Sequence, residues 1–69
     1  MKYTTDGKYS VYAGKNEIAR SYIGNEGYEV RIKQGMPRME TVAKIFADCP
    51  EFAAANEMDV NKVPKLFSA

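Results

Sequence analysis

The sequence predicts an α+β domain. It begins with a three-stranded antiparallel β-meander, four-stranded if the extreme N-terminus joins it. An α-helix packed on one sheet face follows, and then a short C-terminal helical segment. Three observations carry this prediction. Apolar and polar residues alternate through Tyr28-Glu29-Val30-Arg31-Ile32-Lys33-Gln34, the period of a strand with one buried face. Beyond Pro37 the period lengthens, with Met39, Val42, Ile45, Phe46 and Cys49 recurring at helical spacing. Short stretches bearing Gly and Asn separate the strand segments, and connections of that length join antiparallel neighbours. The change of rhythm between Gln34 and Pro37 divides a single domain, 1–69, into a meander (1–34) and a helical part (35–69).

Taken in order, Thr4 and Thr5 favour extended backbone, and Asp6-Gly7 suits a two-residue type I′ turn into Lys8–Ala13. The other outcome is a frayed end that enters the sheet only at Lys8. Glu17–Ile23 and Tyr28–Gln34 are the next strands, reached through the turns Gly14-Lys15-Asn16 and Gly24-Asn25-Glu26-Gly27. These loop lengths set Ile23 opposite Tyr28, Ser21 opposite Val30 and Ala19 opposite Ile32. They also set Ala13 opposite Glu17, Val11 opposite Ala19 and Tyr9 opposite Ser21. One face then holds Tyr9, Val11, Ala13, Ala19, Ser21, Ile23, Tyr28, Val30 and Ile32, and this is the expected core face. A first loop one residue shorter would turn strand 8–13 over and send Tyr12 inward.

Gly35 ends the sheet, and Met36-Pro37 opens a helix that runs to about Asp48, with Glu40 and Lys44 as an i,i+4 pair. Asp48 reads as the N-cap of a second helix, Pro50 to about Met58, with Pro50 near its first position and Glu51 at the capping-box position. Asp59 starts a further turn with Val60 and Val63, limited by Pro64. Lys65-Leu66-Phe67 closes over the core edge.

Size and composition bound the function classes. A chain of 69 residues buries only about 60% of the surface its unfolded form exposes. Cys49 is the one cysteine and there is no histidine, so neither an internal disulfide nor a tetrahedral zinc site is expected. Ten basic side chains meet nine acidic ones, which is unlike a nucleic-acid arm or an acidic mimic. The N-terminus lacks the apolar core of a signal peptide, and no apolar run approaches a membrane span. With one unpaired cysteine, a cytoplasmic location is expected.

Catalytic inventory is thin, and no enzymatic activity and no cofactor are expected. Histidine, the usual general base near neutral pH, is missing. Cys49 continues the apolar stripe of Val42, Ile45 and Phe46, as a buried inert thiol would. Gly24-Asn25-Glu26-Gly27 opens a strand and not a helix, so it lacks phosphate-cradling geometry.

The outer sheet face carries the functional expectation. In the register above it presents Lys8, Ser10, Tyr12, Ile18, Arg20, Tyr22, Glu29, Arg31 and Lys33. Tyr12, Ile18, Arg20, Tyr22, Arg31 and Lys33 are the candidate binding residues, since Arg and aromatic side chains dominate interface energetics. Arg20 opposite Arg31 is unfavourable unless an anion or carboxylate lies between them. The expected partner is a protein; the alternative is a nucleic acid contacted by the same face. Lys8–Ala13 and Tyr28–Gln34 are candidate edge strands, through which two copies could pair.

A meander followed by a helix over Lys8 to Asp48 is similar, in architecture only, to the DNA-binding domains of some phage-type integrases and of plant AP2-type factors. That resemblance implies a sheet inserted in the major groove. In size, in reading as a Met-initiated domain and in lacking catalytic groups, the chain also looks like small phage or mobile-element proteins that bind host complexes. Anti-CRISPR inhibitors are among these, and the likeness implies a stoichiometric inhibitor.

Overall fold

A computed structural model describes residues 1–24, 27–58 and 66–68. Strands β1 (Thr4–Thr5), β2 (Ser10–Ala13), β3 (Asn16–Gly24) and β4 (Gly27–Ile32) form an antiparallel meander in chain order. Helices α1 (Arg38–Asp48) and α2 (Pro50–Ala55) follow. This is the α+β arrangement the sequence predicts, with the N-terminal segment joining as the fourth strand. A further strand, β5 (Leu66–Ser68), pairs parallel to β4, with Val30 opposite Leu66 and Ile32 opposite Ser68. The expected turn on Asp59, Val60 and Val63 lies outside the described residues, as do Asn25 and Glu26. Both strands expected at the sheet edges are therefore covered, β2 by β1 and β4 by β5. Edge-to-edge dimerisation through those two strands loses its premise.

The β3–β4 register is the expected one, with Ala19, Ser21 and Ile23 opposite Ile32, Val30 and Tyr28. Between β2 and β3 the ladder departs from expectation and then recovers. The connecting turn is Gly14-Lys15, one residue shorter than predicted, so Ala13 faces Asn16 and Tyr12 faces Glu17. Gly14 has φ 65° while Lys15 stays out of the left-handed region, the pattern of a type II′ turn. Unbroken, that loop would have inverted β2. A bulge intervenes: Ile18 is the extra residue of β3, and Val11 again faces Ala19. Val11 and Ala19 are both buried.

The β1–β2 connection is also corrected. Thr5 pairs with Val11, so the turn is wider than the expected Asp6-Gly7 pair. Asp6 Oδ1 accepts the backbone N–H groups of Lys8, Tyr9 and Ser10 at 3.2, 2.8 and 3.0 Å. The Thr5 hydroxyl donates to the Ser10 carbonyl at 2.6 Å. Aspartate next to its own backbone competes with a tight hairpin in this way. Tyr9 consequently sits in the loop, 64% exposed, and not on the core face. Tyr28 and Ser21 are half-buried, with the Lys8 ammonium 5.1 Å from the Tyr28 ring centroid.

The core joins Val11, Ile18, Ala19, Val30 and Ile32 of the sheet to Val42 and Ile45 of α1, then Cys49, Phe52, Ala53 and Met58. Met39 does not belong to it and is 69% exposed. The buried stripe of α1 is centred on Thr41 and Ile45, and at 3.6 residues per turn Met39 lies about 120° from Ile45 around the axis. Pro37 occupies the N-cap of α1, one position before the first turn. The cap of α2 is Cys49 and not Asp48, with no side-chain hydrogen bond. Asp48 is otherwise engaged, accepting the Tyr3 N–H at 3.0 Å and pairing with Lys44 at 3.3 Å. Lys44 thus turns to Asp48 and not to the expected Glu40.

Helix α2 stops sooner than predicted. Glu57 takes φ 55°, while the N–H groups of Met58 and Glu57 donate to the carbonyls of Ala53 and Ala54, closing a Schellman motif. Buried Asn56 donates from Nδ2 to the carbonyls of Lys8 and Phe52, both at 2.9 Å. A side chain at the left-handed position costs energy that glycine avoids. Glu57→Gly should therefore stabilise by about 1 kcal/mol and raise the thermal midpoint by about 4–8 °C. An unchanged or lower midpoint in a circular-dichroism melt would contradict this.

Acid should loosen the fold at Asp6 and Asp48, and also at Glu17 on the outer sheet face. Asp6 lies below the usual carboxylate range because the Ser10 and Tyr9 N–H groups donate to it. Asp48 does so because of the Tyr3 N–H, with Lys44 adding to the effect. A depressed carboxylate contributes stability that is present above the unfolded value of about 3.9 and is lost as pH falls through the folded value. The unfolding midpoint should hold from neutrality to about pH 5 and fall below about pH 4. The double variant Asp6→Asn/Asp48→Asn should start lower at neutral pH and decline less steeply. An equally steep decline would assign the acid response to other groups.

Candidate functional site

On the outer face of β3 and β4, Arg20 stands opposite Arg31 and Tyr22 opposite Glu29. Two guanidiniums side by side repel each other, and the structure turns each aside. Arg20 donates to both oxygens of Glu17, with the Nε contact at 3.2 Å. The Arg31 guanidinium lies 4.4 Å from the Tyr22 ring centroid, within cation–π range. The carboxylate that the facing arginines call for is thus supplied from within the chain.

The bulge makes the Glu17–Arg20 pair possible. In a regular strand, residues three apart point to opposite faces. The extra residue Ile18 brings Glu17 and Arg20 to the same side, where their fork-to-fork contact is charge-assisted. The Ser10 hydroxyl of β2 donates to the same carboxylate, and Ser10 is buried although the sequence placed it on the open face. Arg20 first, and Ser10 second, hold the Glu17 carboxyl below its ordinary range, and Arg20 is shifted upward in turn.

Beside this cluster runs an open groove of about 260 Å³, lined by Glu17, Ile18, Ala19, Arg20, Tyr22, Arg31 and Lys33. Of the expected binding residues, Arg20, Tyr22, Arg31 and Lys33 come together here. Tyr12 does not line the groove; it lies half-buried between Thr4 of β1 and Glu17. Ile18 is corrected more sharply. Expected as an uncovered apolar contact, it is 4% exposed and part of the core cluster, because the bulge re-aims it. Lys33 is exposed, and its N–H donates to the Ile18 carbonyl at 2.8 Å. Glu17 is the residue that sequence reasoning misses, since as the first residue of the expected strand it shares parity with Ala19 and not with Arg20. Its only sequence signal is an acid three positions before an arginine, and that spacing means a pair only once the bulge is known.

Elsewhere, Cys49 is buried, and its thiol is pushed up by that burial, then by Glu51 and Asp48. Among the described residues, no cluster of three or more His, Cys, Asp or Glu is placed to hold a metal ion. No helix among them is long and apolar enough to cross a membrane. Comparison with protein-family models, with curated proteins and with solved structures gives no match.

The Glu17 cluster makes its own prediction. In Arg20→Ala the Glu17 carboxyl should titrate higher than in the wild type, and in Ser10→Ala it should rise by less. Carboxyl-detected NMR titration measures both. A Glu17 titration indifferent to Arg20 would mean that the pair does not form in solution.

Proposed function

We propose that this chain is a non-enzymatic binding protein that acts stoichiometrically on a protein partner through the outer face of β3 and β4. The Tyr22–Arg31 stack, set beside a groove, carries the reading. Arg and aromatic side chains supply most of the affinity at protein interfaces. Here they are held against each other on a sheet before any partner arrives, which lowers the ordering cost of binding. Arg20 is likewise fixed by Glu17, so the face is shaped in advance. An inhibitor-type role suits such a chain, of the kind that small phage or mobile-element proteins, anti-CRISPR inhibitors among them, exert on host complexes. A cytoplasmic setting is in keeping with the unpaired, buried Cys49.

Charge favours a protein partner over nucleic acid. The net charge is +1, and Arg20, one of the cations on this face, is already neutralised by Glu17. A sheet that tracked phosphates would lose affinity steeply with salt.

Two measurements separate these readings. Capture from the source cell with wild type and Tyr22→Ala should recover a partner that the variant holds at least about tenfold more weakly. Recovery of the same partner by both, at equal strength, would remove the face from consideration. Labelled duplex and single-stranded oligonucleotides should bind weakly at low salt, with no dependence on Arg31. Tight, steeply salt-dependent binding that is lost in Arg20→Ala/Arg31→Ala would make the chain a nucleic-acid-binding module instead.

A further inference from the structure

We propose that the occupant of the groove is an acidic segment of the partner protein, presenting an aspartate or glutamate beside an apolar side chain. This rests on the outer sheet face being the contact surface. Three cations, Arg20, Arg31 and Lys33, line the groove against the single carboxylate of Glu17. That carboxylate is committed to Arg20 and Ser10. Lys33 is exposed and has no ion pair among the described residues. A carboxylate arriving beside Lys33 gains a charge-assisted contact without breaking one already made. Ile18 and Ala19 border the groove but are buried in the core, so the apolar part of its open surface is the Tyr22 ring, which matches an apolar neighbour.

Size and sign narrow the occupant further. A groove of about 260 Å³ falls below the roughly 300–1,000 Å³ of small-molecule pockets, and it suits one or two side chains. A polyphosphate backbone laid along the groove would meet the Glu17 carboxylate. With a net charge of +1 the chain exerts little long-range pull on a polyanion. The exposed Lys33 ammonium instead selects a single anion at contact range.

Selection from a displayed library of short random peptides tests this, using immobilised wild type, Lys33→Glu and Tyr22→Ala. Wild type should enrich peptides with Asp or Glu next to an apolar residue. Lys33→Glu should lose that preference and bind the synthesised peptides at least tenfold more weakly by fluorescence anisotropy. An unchanged unfolding midpoint shows that Lys33→Glu stays folded. Enriched peptides without acidic residues, no enrichment at all, or acidic peptides that bind Lys33→Glu as well as wild type would each overturn the proposal. Peptides that depend on Tyr22 but carry no acid would overturn the acidic occupant alone. Peptides indifferent to both Tyr22 and Lys33 would remove the face itself. An oligo-dT bound more tightly than any peptide would overturn both.

Discussion

Val11, Val30, Ile45 and Phe52 expose no surface, and no covalent link helps to hold the sheet against the helices. For a chain of 69 residues, folding stability of about 3–10 kcal/mol is typical. The contact between the inner face of the sheet and the α1–α2 pair is therefore the constraint on which the other features depend. Two polar ties flank it. Asn56 reaches the Lys8 carbonyl, and Asp48 receives the Tyr3 N–H. Both bind the helical layer to the N-terminal hairpin, so the thinnest part of the sheet is anchored by groups that lie outside it.

The same constraint shapes the outer face. Val11 and Ala19 must stay opposite each other for the inner face to remain apolar, yet a two-residue turn feeds β3 one residue out of step. The bulge at Ile18 absorbs the mismatch. Its by-product is a Glu17 carboxylate that shares a side with Arg20 and reaches Ser10. A correction made for packing thus determines the electrostatics of the surface on the other side. Core and candidate site are two faces of one register.

The fold was legible where local pattern and turn chemistry agree. Alternation through Tyr28–Gln34 and Glu17–Ile23 fixes the β3–β4 register, and helical spacing places α1 within a residue of its observed start. The features that escaped have no unique local signature. Asp6-Gly7 is compatible with a tight hairpin and equally with an aspartate that gathers three backbone N–H groups. Glu17-Ile18-Ala19 reads as regular alternation, although the strand bulges there. The pairing of Leu66–Ser68 with β4 joins distant parts of the chain. In the site, Arg20, Tyr22, Arg31 and Lys33 were recognisable from residue type and parity. Ile18 and Glu17 were not, since the bulge overturns parity at that point.

The parallel seam between β4 and β5 gives the domain a direction in time. During synthesis the meander can assemble once β4 has left the ribosome, and α1 and α2 can cover it soon afterwards. The outer edge of β4 then stands with its N–H and C=O groups unpaired until Leu66–Ser68 emerge. A nascent sheet with a bare edge is the species most open to pairing with another chain. Among the described strands, the three-residue β5 is the stitch that ends that exposure.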